Sequence, residues 1–587
     1  MDVKSLIPDR SAARMAAAGA LMASGALAMP LAFLRLGGSA VPLYGSAELV
    51  TMPVLCLLCL SFTALFPERL KGFFADRRMA VPAAGAALFL LSALGGFIAG
   101  HLTADALFTG LFYPSAALAG AALAPEMKKL LPGFAAAFSA LLLWSGFFSE
   151  HFTGLAGNWN WTQGLIAALL PGWVLLCGTA RPLRWAAVLL AGFFLLMWRL
   201  YPAEFSRSAL VSSLLAPAVI AVADRLPEKV FDRLFVAGAL LFAVAFALLL
   251  TAADLPDTRF QIWKGAWGVI LSRPLTGVGA GQLAEHIRRF LGDGFYFTEY
   301  PAIHIAHAHN GFLQLFAEYG IAGAVFFFSA AYGVLCRHPE ERSVRFARWV
   351  FVFLLVCGQF DMHCAVLPGG LFFALCAGVV LASAGHEKWV AGRFCRRALT
   401  VAGAMLMIAG IAQAHAGFRA SLLLRRGELA QRAGDDLTAV KCFAESMEWK
   451  LSAPAVYRAA ELELTRFRRP EEAMYLLRRM EKSLALKNYL HARRLRGMAA
   501  YETGDPRSAA EEFAQESRNA PYSVINANFN RIVLRRISAS PEAVAAADAL
   551  FLDLCRRRGI APEAAGRFSA AEDDAAFAPR WREEFWK

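Results

Sequence analysis

Residues 304–335 read HIAHAHNGFLQLFAEYGIAGAVFFFSAAYGVL, and the apolar run that begins at residue 312 is long enough to cross a bilayer, which takes ~20 residues of helix. The chain of 587 residues is 58% hydrophobic and only 18% charged, so a water-soluble fold would leave too much apolar surface exposed. We predict an all-α polytopic membrane helix bundle. Runs of ~17–25 apolar residues predict about thirteen spans, at 14–34, 47–66, 79–100, 103–124, 129–148, 163–180, 183–201, 208–223, 231–252, 312–335, 345–362, 364–384 and 397–417.

Polar side chains enter the span that follows residue 311. Asn310, Gln314 and Glu318 are four residues apart and therefore share one face of a helix. Polar groups at this depth are costly unless they face the bundle interior or a wet cavity. For Gln314 and Glu318 we favour a helix-packing hydrogen bond over a role in a polar cavity. Gly320 and Gly323 are expected to let a neighbouring helix approach closely.

The loops between spans differ in charge. Basic loops such as PERLKGFFADRR, RPLR and CRHPEERSVR alternate with loops poor in Lys and Arg, such as HLTAD. Because Lys and Arg accumulate on the cytoplasmic side, the N-terminus is predicted to be cytoplasmic. The turn with Arg207, the connection 253–311 and the chain after 417 then lie outside. The same loops account for the net charge of +13, and we expect no nucleic-acid partner because no basic stretch carries interleaved stacking aromatics.

The chain after residue 417 becomes charged and Ala-rich, with an internal repeat. GELAQRAGDDLTAVKCFAES aligns with GMAAYETGDPRSAAEEFAQES, which pairs Gly427 with Gly497 and Phe443 with Phe513. Two helices in ~34–35 residues resemble tetratricopeptide repeats. Such arrays hold a protein partner or dock on a neighbouring domain, and a packed helical cap without a partner is the alternative.

The outward connection begins with TRFQIWKGAWGVILSRPLTGVGAGQ. Its first part predicts an amphipathic helix with aromatic residues on one side, suited to the membrane interface. Gly277, Gly279 and Gly281 then predict turns that fold the loop back. A phosphate-cradling glycine loop is the weaker alternative, because neither GxGxxG nor a preceding strand is present.

Three histidines and two arginines are the candidate functional groups on the outer side. His304, His307 and His309 are spaced HxxHxH, which could hold a metal, but on a helix the third residue does not share the face of the first two. Neutral imidazole such as that of His309 can instead act as a general base. Arg207 and Arg259 can either reach lipid headgroups or grip a diphosphate bidentately.

From His309 the chain reads HN, nine residues and then GIAG, which resembles the signature of the O-antigen ligase superfamily. SRSAL around Arg207 resembles the Ser-Arg motif before that family's large periplasmic loop. RFQIWKGAWGVILSRPLTGVGAG resembles its Arg-x-x-x-Trp helix and Pro-Leu-x-Gly-x-Gly turn. The resemblance covers residues 200–335, while the spans before 200 match only in hydrophobic character.

The resemblance implies a GT-C-type membrane glycosyltransferase of the bacterial inner membrane that needs neither a cofactor nor a metal. It would transfer a glycan from undecaprenyl diphosphate to an acceptor hydroxyl on the periplasmic face, with inversion. Carried over by position, His309 is the catalytic base, and Asn310 orients it or a substrate hydroxyl. Arg207 and Arg259 bind the diphosphate and stabilise its charge, so no metal is required.

The predicted domains are transmembrane helices over 1–252, a large periplasmic loop over 253–311, further transmembrane helices over 312–417 and a periplasmic helical repeat domain over 418–587. The tail lies outside the part of the chain that resembles the ligase family. The acceptor therefore stays open among three candidates, which are lipid A-core, a protein hydroxyl and the growing glycan. A protein O-oligosaccharyltransferase and an O-antigen polymerase are therefore alternatives within the class. Outside it, the chain would be a lipid-linked glycan exporter or a scaffold, and the scarcity of charges before residue 200 argues against an exporter.

Overall fold

The computed structural model describes residues 10–32, 44–67, 77–98, 104–153, 158–179, 181–252, 257–291, 295, 305, 307–361, 369–384, 393–481, 492–519, 521, 524–537, 539–557, 559 and 561–562. Across these ranges the chain is built of helices and turns, without a strand. It forms two compact units. The first comprises residues of Met1–Gly95, Ala104–Ala247 and His309–Ala414, and the second those of Gly96–Thr103, Leu248–Ala308 and His415–Lys587.

The helices up to residue 252 coincide with the predicted apolar runs. They are α1 (Arg10–Ala32), α2 (Tyr44–Leu65), α3 (Ala80–Ile98), α4 (Ala104–Ala122), α5 (Ala124–Phe147), α6 (Trp159–Leu169), α7 (Pro171–Leu176), α8 (Pro182–Leu200), α9 (Arg207–Arg225) and α10 (Glu228–Ala252).

The connection and the later apolar runs are also helical. They contain α11 (Thr258–Ser272), α12 (Leu283–Ile287), α13 (Gly311–Tyr319), α14 (Ile321–Leu335), α15 (Arg342–Cys357), α16 (Gly369–Leu381) and α17 (Arg393–Arg432). The tail continues with α18 (Asp436–Trp449), α19 (Ala453–Thr465), α20 (Pro470–Glu481), α21 (Ala492–Glu502), α22 (Pro506–Asn519), α23 (Val524–Arg536) and α24 (Pro541–Arg557).

The predicted all-α membrane fold is confirmed. Six helices within the described ranges are long and apolar enough to span a bilayer: Ala80–Ile98, Ala124–Phe147, Pro182–Leu200, Arg207–Arg225, Glu228–Ala252 and Arg397–Arg432. Three shorter apolar helices are Val54–Leu65, Ile321–Leu335 and Gly369–Leu381. Large side chains such as Leu195 and Leu241 point outward, about 70% exposed, and a lipid environment accommodates such a surface. The count of thirteen spans stays a prediction.

Two of the predicted spans are each divided into two helices. The run 312–335 divides into α13 and α14 at Gly320, whose φ of 62° and ψ of −150° are outside the helical region. The run 163–180 divides into α6 and α7 before Pro171, which cannot donate the backbone hydrogen bond that a continuous helix requires. Gly323 packs against Leu315 O so closely that a Cβ would overlap it, as expected for a small residue at a helix contact.

The polar residues of α13 pair with each other. Gln314 Nε2 donates to Glu318 Oε1 at 2.7 Å, one turn further along the same helix. A hydrogen bond therefore satisfies these side chains, and this bond lies within α13 rather than between two helices.

Small residues let α4 and α16 pack with their backbones in contact. A Cβ on Gly378 would overlap Ala117 O, and one on Gly120 would overlap Leu375 O. The interface belongs to the core of the first unit, where Cys376 and Leu375 are buried. In lipid, such close van der Waals packing drives helix association because apolar burial alone gives no advantage over lipid.

We expect Gly378→Val to destabilise the protein, because its side chain must displace the α4 backbone. Overpacking of a close contact costs about 1–3 kcal/mol or more, so the thermal unfolding midpoint in detergent should fall by several degrees. Gly192→Val is the matched control, since a Cβ on Gly192 of α8 meets no atom within 4 Å and both changes remove a helical glycine. Equal midpoints for the two variants would contradict this account of the interface.

The connection folds back on itself in the second unit. Gly277, Gly279 and Gly281 have φ angles of 68°, 103° and 69°, which confirms the predicted glycine turns. The turns return the chain so that Phe290 packs against Gly268 of α11. The 3-10 turn Arg288–Phe290 also contacts α22, so the connection and the tail belong to one compact unit.

The tail repeats its local geometry. Phe443 packs on Gly427 and Phe513 packs on Gly497, where a Cβ would lie 2.5 Å and 3.0 Å from the ring. Asp435 accepts from Thr438 N, and Asp505 accepts from Ser508 N, each at 3.1 Å. Hydrogen bonds from the side chains of Thr438 and Ser508, together with those from their backbone N–H groups, lower the pKa of the two carboxyl groups. The sequence repeat is thus a structural repeat, while its tetratricopeptide character stays a prediction. Helix α17 continues through the predicted boundary at residue 417.

Candidate active site

His309 lies in the turn before α13 and pairs with a carboxylate. Its Nδ1 is 3.3 Å from Asp361 Oδ1, and the side chains are 34% and 3% exposed. The backbone of His309 has a φ of 51°, a left-handed conformation that is uncommon for a residue other than glycine and that clusters at functional sites. An imidazole fixed through Nδ1 directs Nε2 away from the carboxylate, which is the arrangement a general base needs.

Asn310 fixes the backbone beside His309. Its Oδ1 accepts from Leu313 N at 2.9 Å, so it is the N-cap of α13. Its Nδ2 donates to Gln359 O at 3.0 Å. Gly311 N also donates to Gly358 O, at 2.7 Å. Asn310 is 3% exposed, and its amide joins the start of α13, through Oδ1, to the segment that follows α15, through Nδ2.

Asp361 is a candidate site residue that the sequence predictions missed. It follows α15, is 2% exposed and also accepts from Trp161 Nε1 of α6 at 3.4 Å. A carboxylate at the end of a predicted apolar span, on the same predicted side as His309, was the available signal. Spacing alone could not reveal it, because 52 residues separate it from His309.

Arg207 is at the same end of the first unit as His309. It is the first residue of α9, which Ser206 caps by accepting from Ala209 N at 3.3 Å. Ser206 N donates to Gln163 Oε1 at 3.0 Å. Gln163 lies two residues after Trp161 on α6, and Trp161 contacts Asp361, so the bonds link the start of α9 to the His309 pair. Arg207 itself is exposed.

Arg259 lies in the first turn of α11. Asp257 caps this helix by accepting from Phe260 N at 3.1 Å, and Arg259 is half-buried. It belongs to the second unit, whereas Arg207 and His309 belong to the first. Its convergence with them stays a prediction.

The metal site that the HxxHxH spacing suggested lies partly outside the described ranges. His304 is not among the described residues, and His307 is half-buried. Within the described ranges, no three His, Cys, Asp or Glu side chains are grouped so that they could hold a metal ion.

Comparison with protein-family models gives a match that contains the predicted site residues. Residues 164–328 match the O-antigen ligase family. The matched segment includes Arg207, Arg259, His309 and Asn310, while Asp361 lies beyond it. A search of the curated proteins found no match to this chain. The helical membrane fold agrees with this match, and residues 164–328 of this multi-pass membrane protein are therefore similar to the O-antigen ligase family.

Proposed function

We propose that this protein is an O-antigen ligase-type glycosyltransferase that moves a glycan from undecaprenyl diphosphate to an acceptor hydroxyl. The observation that carries the proposal is the His309–Asp361 pair at the same end of the first unit as Arg207. A positioned base and a guanidinium at the same end of the helix bundle suit transfer from a diphosphate leaving group. The family match supports a glycosyltransferase acting on lipid-linked glycans in general.

In the proposed reaction the acceptor oxygen attacks the anomeric carbon as the bond from that carbon to the diphosphate oxygen breaks. The electron pair of the broken bond leaves with the diphosphate. The acceptor proton passes to Nε2 of His309, and Nδ1–H donates to Asp361. Direct attack opposite the leaving group inverts the anomeric centre.

The diphosphate gains negative charge as it leaves. We propose that Arg207 and Arg259 bind it, because guanidinium groups match phosphate oxygens bidentately and stabilise the charge that develops. Two guanidiniums can supply this stabilisation without a metal. Asn310 contributes by holding the His309 turn in place.

The proposed location is the bacterial inner membrane, with the site and the tail on the periplasmic side. This orientation follows from the alternation of basic loops. A protein hydroxyl is the second candidate acceptor, favoured by the helical tail, since repeat arrays present extended surfaces to polypeptides. The tail's contact with the turn Arg288–Phe290 joins it to the connection that carries Arg259.

The test is reconstitution of the purified protein with an undecaprenyl diphosphate-linked glycan. We expect release of lipid diphosphate only when an acceptor is added, and we expect lipid A-core, a hydroxyl-bearing peptide and free glycan to differ in rate. Turnover should persist in the presence of a metal chelator. Mass spectrometry of the products identifies the acceptor, and failure of all three acceptors to release diphosphate would contradict the proposed transfer.

A further inference from the structure

A second imidazole–carboxylate pair lies at the same end of the first unit. His151 Nδ1 is 2.8 Å from Glu204 Oε1, with side chains 64% and 19% exposed. His151 is in the 3-10 turn Glu150–Phe152 that follows α5. The turn is anchored by Phe152, which is fully buried and packs 5.1 Å from the Tyr201 ring, centroid to centroid.

The pair is tied to the helix that also contacts the His309 site. Thr162 Oγ1 donates to Thr153 O at 2.6 Å, which joins the His151 turn to the start of α6. Trp161, the preceding residue of α6, donates to Asp361. The two imidazole–carboxylate pairs therefore flank the first turn of one helix.

Glu204 is close to Arg207 because one buried amide holds the chain between them. Gln163 Nε2 donates to Glu204 O at 2.7 Å, and Gln163 Oε1 accepts from Ser206 N at 3.0 Å. Three residues span at most about 10 Å when fully extended, and the double contact with Gln163 keeps this segment folded. The Cα atoms of Glu204 and Arg207 are thus no more than about 10 Å apart, which is one Debye length at 0.1 M ionic strength.

We propose that His151 is a positioning residue that balances the charge of Glu204 beside the diphosphate-binding Arg207. A diphosphate that approaches Arg207 is repelled by an uncompensated carboxylate at this distance. When the imidazole is protonated, its 2.8 Å contact with the Glu204 carboxylate is an ion pair that carries no net charge. This inference rests on the proposed function, because it requires that Arg207 binds a diphosphate.

The test is a double-mutant cycle read by equilibrium binding of farnesyl diphosphate, with farnesol as the uncharged control. His151→Ala should weaken farnesyl diphosphate binding about three- to tenfold, the range expected for one partly screened charge at this distance. Glu204→Gln should bind as tightly as the wild type or more tightly. The double variant should match Glu204→Gln, since the imidazole has no role once the carboxylate charge is removed.

If His151 and Glu204 have only a structural role, farnesyl diphosphate binding by the variants follows a different pattern. If the His151–Glu204 contact only braces the turn, Glu204→Gln weakens binding as His151→Ala does and the double variant is not rescued, which overturns the inference while the proposed function stands. If the wild type binds farnesyl diphosphate no better than farnesol, the diphosphate site fails and both proposals fall.

The chain offers a matched control. His338 Nδ1 is 3.0 Å from Asp224 Oδ1, a second imidazole–carboxylate pair, near the other end of α9, about 26 Å from Arg207 at 1.5 Å per residue. Asp224 also pairs with Arg348, so this pair controls for the loss of an imidazole far from Arg207. His338→Ala should leave farnesyl diphosphate binding unchanged. A loss equal to that of His151→Ala would mean that the effect is not local to Arg207 and would overturn the inference.

Discussion

His309→Gln is expected to slow glycan transfer by about 10²–10⁴-fold, the usual contribution of a positioned general base. The amide retains hydrogen-bonding capacity but cannot take the acceptor proton. Donor binding should change little, because the base acts on the acceptor hydroxyl rather than on the diphosphate. The measurement is the rate of lipid diphosphate release in the reconstituted system, together with the KM for the lipid-linked donor.

Asp361→Asn tests the carboxylate that contacts His309. The amide can still occupy the buried site beside Trp161, but it no longer accepts from Nδ1–H with a full charge, so the imidazole is held less firmly in the productive tautomer. We expect a smaller loss than for His309→Gln, and little further loss when the two changes are combined, because residues that act as a unit are not additive. Full turnover by His309→Gln would exclude this imidazole as the base.

The fold class followed from the sequence because apolar runs of bilayer length leave few alternatives. The positions at which two of those runs divide into separate helices were harder to predict from the sequence. Pro171 is a local signal that could have divided one run, but Gly320 was interpreted only as a helix-contact residue. Its φ of 62° instead ends α13, and no property of the apolar pattern distinguishes a glycine that packs from one that turns.

The candidate site was predictable only in part for a similar reason. His309, Asn310 and Arg207 could be named because each lies in a local motif. Asp361 pairs with His309 across 52 residues through helix packing, which one sequence does not encode as a spacing. Gln163 was missed likewise, although its amide joins α6 to the start of α9. The buried polar contacts that assemble a membrane site are long-range, whereas sequence motifs are local.

Arg207→Ala is the second variant expected to have a large effect, a loss of about 10²–10³-fold in kcat/KM from removal of a group that stabilises developing charge. Arg207→Lys should be intermediate, since an ammonium keeps the charge but cannot form the bidentate contact of a guanidinium. Arg225→Ala is the matched control, because Arg225 is the exposed last residue of the same helix. Its kinetics should equal those of the wild type.

The combination of Arg207→Ala with Arg259→Ala tests whether the two guanidiniums hold one diphosphate. If both contact the same leaving group, the double variant should lose much less than the product of the two single losses, because coupled residues depart from additivity by about 0.5–3 kcal/mol. If the residues act at separate places, the losses multiply. Arg259 lies on α11, against which Phe290 of the folded connection packs, while Gln163 anchors the start of the helix that carries Arg207. Non-additive losses would therefore mean that the folded connection supplies half of the diphosphate site. Multiplying losses would exclude a shared diphosphate and leave Arg207 as the guanidinium that acts with His309.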